Sequence, residues 1–331
     1  MKEIAEKIRD NFNIDVSNIS PFRDNYIIYS NSKKILLKKV LMSPERICFI
    51  HNAKKHLMKN NFQCLDEYLL SKNDEPYIKI NNTLYTLTPI IDGIEINFEK
   101  SDDVINSSYL LANFHKCSRG FFLPENTFVK DELGKLPSVY KKRLNEIKKV
   151  KKIASSTKTK FDYLLLEYID YFFNLGTKVI DKLEKSNYMD LVHKTKKEGS
   201  FCHHEFTHNN IINNNGIYFL INFEFCCYEL KIYDLCNLIK RKLRKCNWDI
   251  KEAKKILDFY QEKIPLSNDE FYIMKLMIMF PQKFWRVINS YYNSKKNLSE
   301  KIYITKLNNV INEITPIEDF LEKYDTLYLY H

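Results

Sequence analysis

The chain has 331 residues, 44% of them hydrophobic, and a formal net charge of +10, enough material for a substantial core and no mark of a disordered tail. Its first residues, Met1-Lys2-Glu3-Ile4-Ala5-Glu6, lack the pattern of a signal peptide, and the longest apolar run, from Ile273 to Phe280, contains Lys275 and stops at Pro281, so no membrane association is expected. The basic residues are interleaved with acids, and the densest run, Lys141 to Lys160, has only Tyr140 as an aromatic neighbour, so the charge reads as solvated helix surface and no nucleic-acid partner is expected.

In chain order, Tyr26 to Tyr29 and Ile35 to Val40 are rich in strand formers and flank a turn at Asn31-Ser32. Ser43-Pro44-Glu45 is a helix start, with Ser as cap and Pro in the first turn; the helix runs to about Lys59 with Ile47, Ile50, Lys54 and Leu57 along one stripe. Tyr77 to Ile80 and Thr83 to Pro89 read as a second hairpin, because Asn81-Asn82 between them tolerates the positive φ of a tight turn. The order is strand, strand, helix, strand, strand. Asp92-Gly93 then marks a change to helical composition.

From Ser101 onward helices dominate. Ile105, Tyr109 and Ala112 share a face on the first, and Asp234 reads as the cap of a helix that buries Leu235, Leu238 and Ile239. Asp249 with Glu252, and Ser267 with Glu270, have capping-box spacing, and Thr315-Pro316-Ile317-Glu318 reads as the start of the last helix. One β segment interrupts the helices, around Phe201 to Phe223, with Gly216 in a tight turn. The fold class expected is α+β, with a small antiparallel β lobe over residues 1–92 and a larger, mostly helical lobe over 93–331 carrying the loop segment 202–224. Eight irregularly spaced cysteines point to reduced, buried thiols. A zinc site drawn from Cys202, His203, His204, Cys226 and Cys227 lacks any C-x-x-C pair, which favours core packing.

Four passages carry a resemblance: Cys202-His203-His204-Glu205 through Asn210; Ile221-Asn222-Phe223-Glu224; Tyr233-Asp234-Leu235; and Phe280-Pro281-Gln282-Lys283-Phe284-Trp285 with Tyr291-Tyr292-Asn293 after it. The chain resembles the choline kinase and aminoglycoside phosphotransferase superfamily, and within it the CotS-type spore-coat proteins of endospore-forming bacteria. The resemblance implies a bilobal, protein-kinase-like fold and a phosphotransfer site with four requirements.

A lysine must steady the nucleotide phosphates. Lys38 stands at the matching strand position and is either that residue or an ordinary surface-strand lysine beside Lys39. Its usual helix glutamate is missing, since the helix offers Ile50, His51 and Asn52 there and Glu45 lies a turn or more too early. A phosphate-cradling loop normally contains glycine; the candidate, Phe22-Arg23-Asp24-Asn25, has none, and Arg23 is open to a phosphate contact or to a surface ion pair. The catalytic-base position, an aspartate in the pattern, is Glu205, whose extra methylene moves the carboxylate by roughly 1 Å, a displacement that can cost about 10² in rate. The metal ligands would be Asn210, Asn222 in place of an aspartate, and Glu224 as a substitute on the same side of the strand. Magnesium prefers carboxylates, so these would hold it weakly. His203 would brace the loop.

The expectation is a spore-coat-associated pseudokinase acting through protein binding, made in the mother-cell cytoplasm and incorporated into the coat with spore-coat proteins as partners. Its 22 Tyr and 22 Phe would suit an interaction surface, although most belong in a core. The alternative is an active ATP- and Mg-dependent phosphotransferase acting on a small-molecule hydroxyl. Nucleotide binding without chemistry is a third reading.

Overall fold

The computed structural model describes residues 2–31, 33–125, 127–293 and 299–329, which form two compact units, Met1–Asp131 with Glu198–Asp234 and Glu132–Lys197 with Leu235–His331. The architecture is mixed α+β, an antiparallel sheet in the first unit and a helical second unit, as the sequence implied.

In the first unit, α1 (Lys2–Asn11) precedes β1 (Asn18–Phe22), β2 (Asn25–Ser30), β3 (Lys33–Val40), α2 (Pro44–Lys59), β4 (Ile78–Ile80), β5 (Thr83–Pro89), β6 (Ile94–Glu95) and α3 (Ser101–Cys117). A five-stranded antiparallel sheet has the order β1-β2-β3-β5-β4. The four expected strands are present. Asn81 and Asn82, with φ of 47° and 60°, make the turn that only short polar side chains or glycine adopt readily. Ser32, half of the other expected turn, lies outside the described residues. Ser43 accepts from Arg46 N and Pro44 opens α2, as its sequence requires.

Two elements precede the expected order of strand, strand, helix, strand, strand: α1 and β1. Their signal is Ile4, Ile8 and Phe12 at helical spacing; Ile8, Phe12 and Val16 join Ile28, Ile35, Leu37, Ile78, Ile80 and Leu87 in one core. Covering one face of the sheet in this way withdraws its apolar residues from water at roughly 25 cal/mol per Å².

The same unit contains β7 (Phe201–Cys202), β8 (Ile211–Asn214), β9 (Ile217–Leu220) and β10 (Cys227–Tyr228). β8 and β9 form a hairpin about Asn215-Gly216 (φ 50° and 90°), with Gly216 in the turn expected of it, β6 adds to β8, and β7 pairs with β10. Gly93 has φ 141°, and a Cβ there would lie 2.5 Å from Asn213 O, so glycine is required where β6 meets this hairpin.

The second unit contains α4 (Leu136–Thr157), α5 (Lys160–Glu184), α6 (Tyr188–Glu198), most of α7 (Ile232–Leu243), α8 (Ile250–Gln261), α9 (Asn268–Met279), α10 (Gln282–Asn293), α11 (Glu300–Ile311) and α12 (Ile314–Tyr328). Ser267 and Glu270 form the expected capping box. Asp249 caps α8 alone, through Lys251 N, because the Glu252 carboxylate is drawn to Lys255 and Lys242. The last helix begins at Ile314, with Glu313 as its cap, so Thr315 lies inside the first turn and is not the cap. No helix among the described residues is long and apolar enough to cross a membrane.

Candidate functional site

The β8-β9 hairpin joins the two halves of the site. Leu220 N donates to Cys64 O and Ile221 N to Asn210 O, each at 2.9 Å, which fixes the segments around 203–210 and 221–226 against each other. After β9 the chain does not continue as a strand: Asn222 is left-handed (φ 65°, ψ 65°) and Phe223–Phe225 form a 3-10 turn. Asparagine enters that conformation at lower cost than most residues.

This turn aims two side chains at β3. Lys38 Nζ lies 2.9 Å from Asn222 Oδ1 and 2.7 Å from Glu224 Oε1. The ammonium has only protons to give, so it fixes which end of the Asn222 amide faces it. The other end follows: Asn222 Nδ2 donates to Asn210 Oδ1 at 3.2 Å, and Asn210 Nδ2 donates to Glu205 O at 2.9 Å. A directed chain thus runs from Lys38 through Asn222 and Asn210 to the loop backbone. Lys38, Asn210, Asn222 and Glu224 are brought together. Glu205 joins by its backbone, and its half-buried carboxylate has no hydrogen-bond or ion-pair partner among the described residues.

His203 is fully buried; its Nε2 bonds Ile221 O at 3.0 Å, and its Nδ1 has no partner. A ring that donates from Nε2 and leaves Nδ1 bare is neutral, and burial pushes the imidazole below its ordinary range. Asp234 does not cap α7. It lies in the helix's first turn, and its carboxylate accepts from His203 N at 2.8 Å and His204 N at 2.9 Å. Burial pushes this carboxyl up, but the bond from His115 and the nearby imidazoles outweigh it and hold it below the usual range. His204, at φ 67°, stacks on Tyr233 with centroids 4.2 Å apart.

The imagined zinc set does not assemble. Among the described residues, the group whose donor atoms fall within 4.8 Å of one another is His115, Cys202 and Asp234, all buried. Both Asp234 oxygens already receive amides. The Cys202 thiol donates toward Glu229 O and Leu230 O, and burial pushes it far up, so it stays protonated and serves as core.

Two basic residues of α2 hold the turn from behind. Arg46 Nη2 donates to Glu224 O at 2.6 Å and Cys226 O at 2.7 Å. Lys54 is 2% exposed and lies 3.0 Å from Asp66 Oδ1, while Asp66 Oδ2 accepts from Asn222 N at 3.2 Å. The helix that would normally supply a glutamate to the strand lysine supplies these cations instead. Glu45 stays at its start, where the Ser43 hydrogen bond holds it below the usual carboxylate range. Lys54 was visible as a lysine on an apolar stripe; Arg46, Asp66 and His115 gave no comparable signal.

Residues fit for a divalent cation would present several free oxygens, carboxylates first. Here the turn offers one carboxylate, Glu224, ion-paired to Lys38, and two amide oxygens, each accepting a hydrogen bond. As arranged, this donor set does not fit magnesium. The glycine-free turn Arg23-Asp24 closes β1 onto β2 with Arg23 at φ 54°, its guanidinium 5.6 Å from the Phe22 ring centre and without an ion pair among the described residues.

This fold is that of the kinase-like phosphotransferases. Residues 5–324 match the family described as "Spore coat putative kinase YutH", and the chain belongs to that spore-coat family. Spore coat protein S of Bacillus subtilis (strain 168) is 26% identical over 296 residues, covering 88% of this chain and 84% of that one. An aminoglycoside phosphotransferase from Alicyclobacillus acidocaldarius superimposes with a TM-score of 0.86 at 16% identity, over 98% of this chain and 96% of that one. A spectinomycin phosphotransferase, solved with ADP and spectinomycin, gives 0.57 at 14% identity, over 96% and 98% of the two chains.

Proposed function

We propose that this chain is a pseudokinase of the spore coat, which has kept the phosphotransferase frame and acts by binding other coat proteins. The observation that carries the reading is the occupied lysine: Glu224 and Asn222 sit on Lys38 Nζ at 2.7 Å and 2.9 Å. A phosphate would have to displace a carboxylate there, and the same carboxylate is the one anion the turn could offer a metal. Family membership supports the coat location, reached from the mother-cell cytoplasm, with coat proteins as partners.

The experiment is a thermal-shift titration with ATP and ADP, with and without magnesium, alongside an ATP-turnover assay. The reading predicts no magnesium-dependent stabilisation and no turnover. One feature favours the second reading, an active ATP- and Mg-dependent small-molecule kinase: the Glu205 carboxylate is unpaired among the described residues. Magnesium-dependent turnover that vanishes in Glu205→Ala would establish that reading and remove ours. Stabilisation by ATP that ignores magnesium would leave a nucleotide-binding pseudokinase.

A further inference from the structure

Within the second unit, α5, α7, α10 and the Phe280-Pro281 elbow enclose a cavity whose walls include Phe172, Phe284, Lys240, Arg244, Trp248 and Glu313. Phe172 and Phe284 stack with centroids 4.1 Å apart, so much of the lining is apolar. The buried polar atoms of the lining that lack a partner share one character: they are donors. Trp248 is 4% exposed and its Nε1 has no acceptor; Arg244 Nε is likewise buried without one. Lys240 Nζ has only the weakly accepting Cys236 sulfur and, at 3.5 Å, Met277 O. The one carboxylate of the lining, Glu313, is already paired with Lys283 at 2.7 Å.

A buried donor without a partner costs about 1–3 kcal/mol, and here two belong to side chains that line a single cavity, beside a poorly satisfied ammonium. The acceptors that the lining's side chains offer are already engaged, Glu313 by Lys283 and Gln282 Oε1 by Arg143. We infer that this cavity is a binding site for a small organic anion, a carboxylate on a short apolar or aromatic body. The carboxylate oxygens take the Arg244, Trp248 and Lys240 protons, and the body packs on Phe172 and Phe284. Bare phosphate fits less well, because an apolar wall cannot replace its hydration. The site uses Phe280 to Phe284, a passage that phosphotransfer leaves without a role, and it stands independently of the reading proposed above.

The chain has two tryptophans, and Trp285 donates instead to Glu146 at 2.6 Å. In Trp285→Phe, Trp248 becomes the sole reporter. Titration of that variant with benzoate is expected to shift the Trp248 emission saturably. Benzamide, isosteric but uncharged, and inorganic phosphate should each bind at least about tenfold more weakly. Arg244→Gln should weaken benzoate about tenfold or more; if it does not fold, Lys240→Met serves, with circular dichroism confirming its helices. The proposal is overturned if benzoate leaves the emission unchanged up to about 10 mM, if benzamide or phosphate matches it, or if neither folded variant weakens it.

Discussion

Lys38 and Glu224, 186 positions apart in the chain, form an ion pair at 2.7 Å. In active kinases the strand lysine takes its carboxylate from a helix and keeps its face toward the phosphates. Here the carboxylate comes from the turn that would hold the metal, so one contact occupies both functions. The pair is 30% and 25% exposed, which limits its share of stability to below about 1 kcal/mol.

Glu224→Gln should therefore leave the thermal midpoint nearly unchanged while freeing Lys38 for a phosphate. The thermal shift produced by ATP should grow, corresponding to severalfold tighter binding. A response to ATP that is lost in Glu224→Gln would mean that Glu224 serves the nucleotide or its metal, against the account.

Arg46 fixes the turn through two carbonyls, Glu224 O and Cys226 O, at 2.6 Å and 2.7 Å. Arg46→Met keeps the apolar stem and removes both bonds. The expected loss is about 1.5–3 kcal/mol, with faster amide hydrogen exchange confined to residues 223–228. Unchanged exchange there would remove Arg46 from its positioning role.

Much of the frame was legible because its signals are local. Ser43-Pro44, Asn81-Asn82 and Gly216 each favour a backbone state by their own local chemistry, and the structure places a helix start and two turns there. The site was half legible. The passages Cys202 through Asn210 and Ile221 through Glu224 identified the loop, but whether Glu224 would face a metal or Lys38 depends on the left-handed step at Asn222, which redirects the chain out of the strand. Asp234 looked like a cap because Asp is common at helix starts; its amides come instead from His203 and His204, thirty residues earlier. Partners so distant in sequence leave no periodic trace, and α1 was missed because its apolar stripe is interrupted by charges.

Stability should fall with acid in a defined window. Burial holds His115 and His203 below their ordinary range, so the unfolded chain, with imidazoles near pH 6.5, binds protons that the folded chain refuses. Stability is complete above about pH 6.5 and declines as pH drops toward 5. The thermal midpoint measured from pH 7.5 to 5 should follow that course, with a shallower slope in His115→Gln. A midpoint that rises on acidification would contradict the neutral assignment. Asp234 acts lower: its depressed carboxyl contributes fully above about pH 4 and is lost only beneath it.

Gly93→Ala would force a side chain into a conformation at φ 141° and set its Cβ 2.5 Å from Asn213 O. A loss of about 1–3 kcal/mol is expected, read as an earlier midpoint in urea denaturation. An unchanged midpoint would show that the β6-β8 pairing relaxes freely.

The most direct test of the account is the affinity for Mn²⁺ in the presence of ATP, measured by electron paramagnetic resonance on the wild-type chain and on Asn222→Asp. The account predicts no protein-held cation beyond the Mn–ATP complex itself in the wild type, and a gain of at least about tenfold when position 222 becomes an anion. A wild-type chain that holds Mn–ATP as tightly as Asn222→Asp would contradict it.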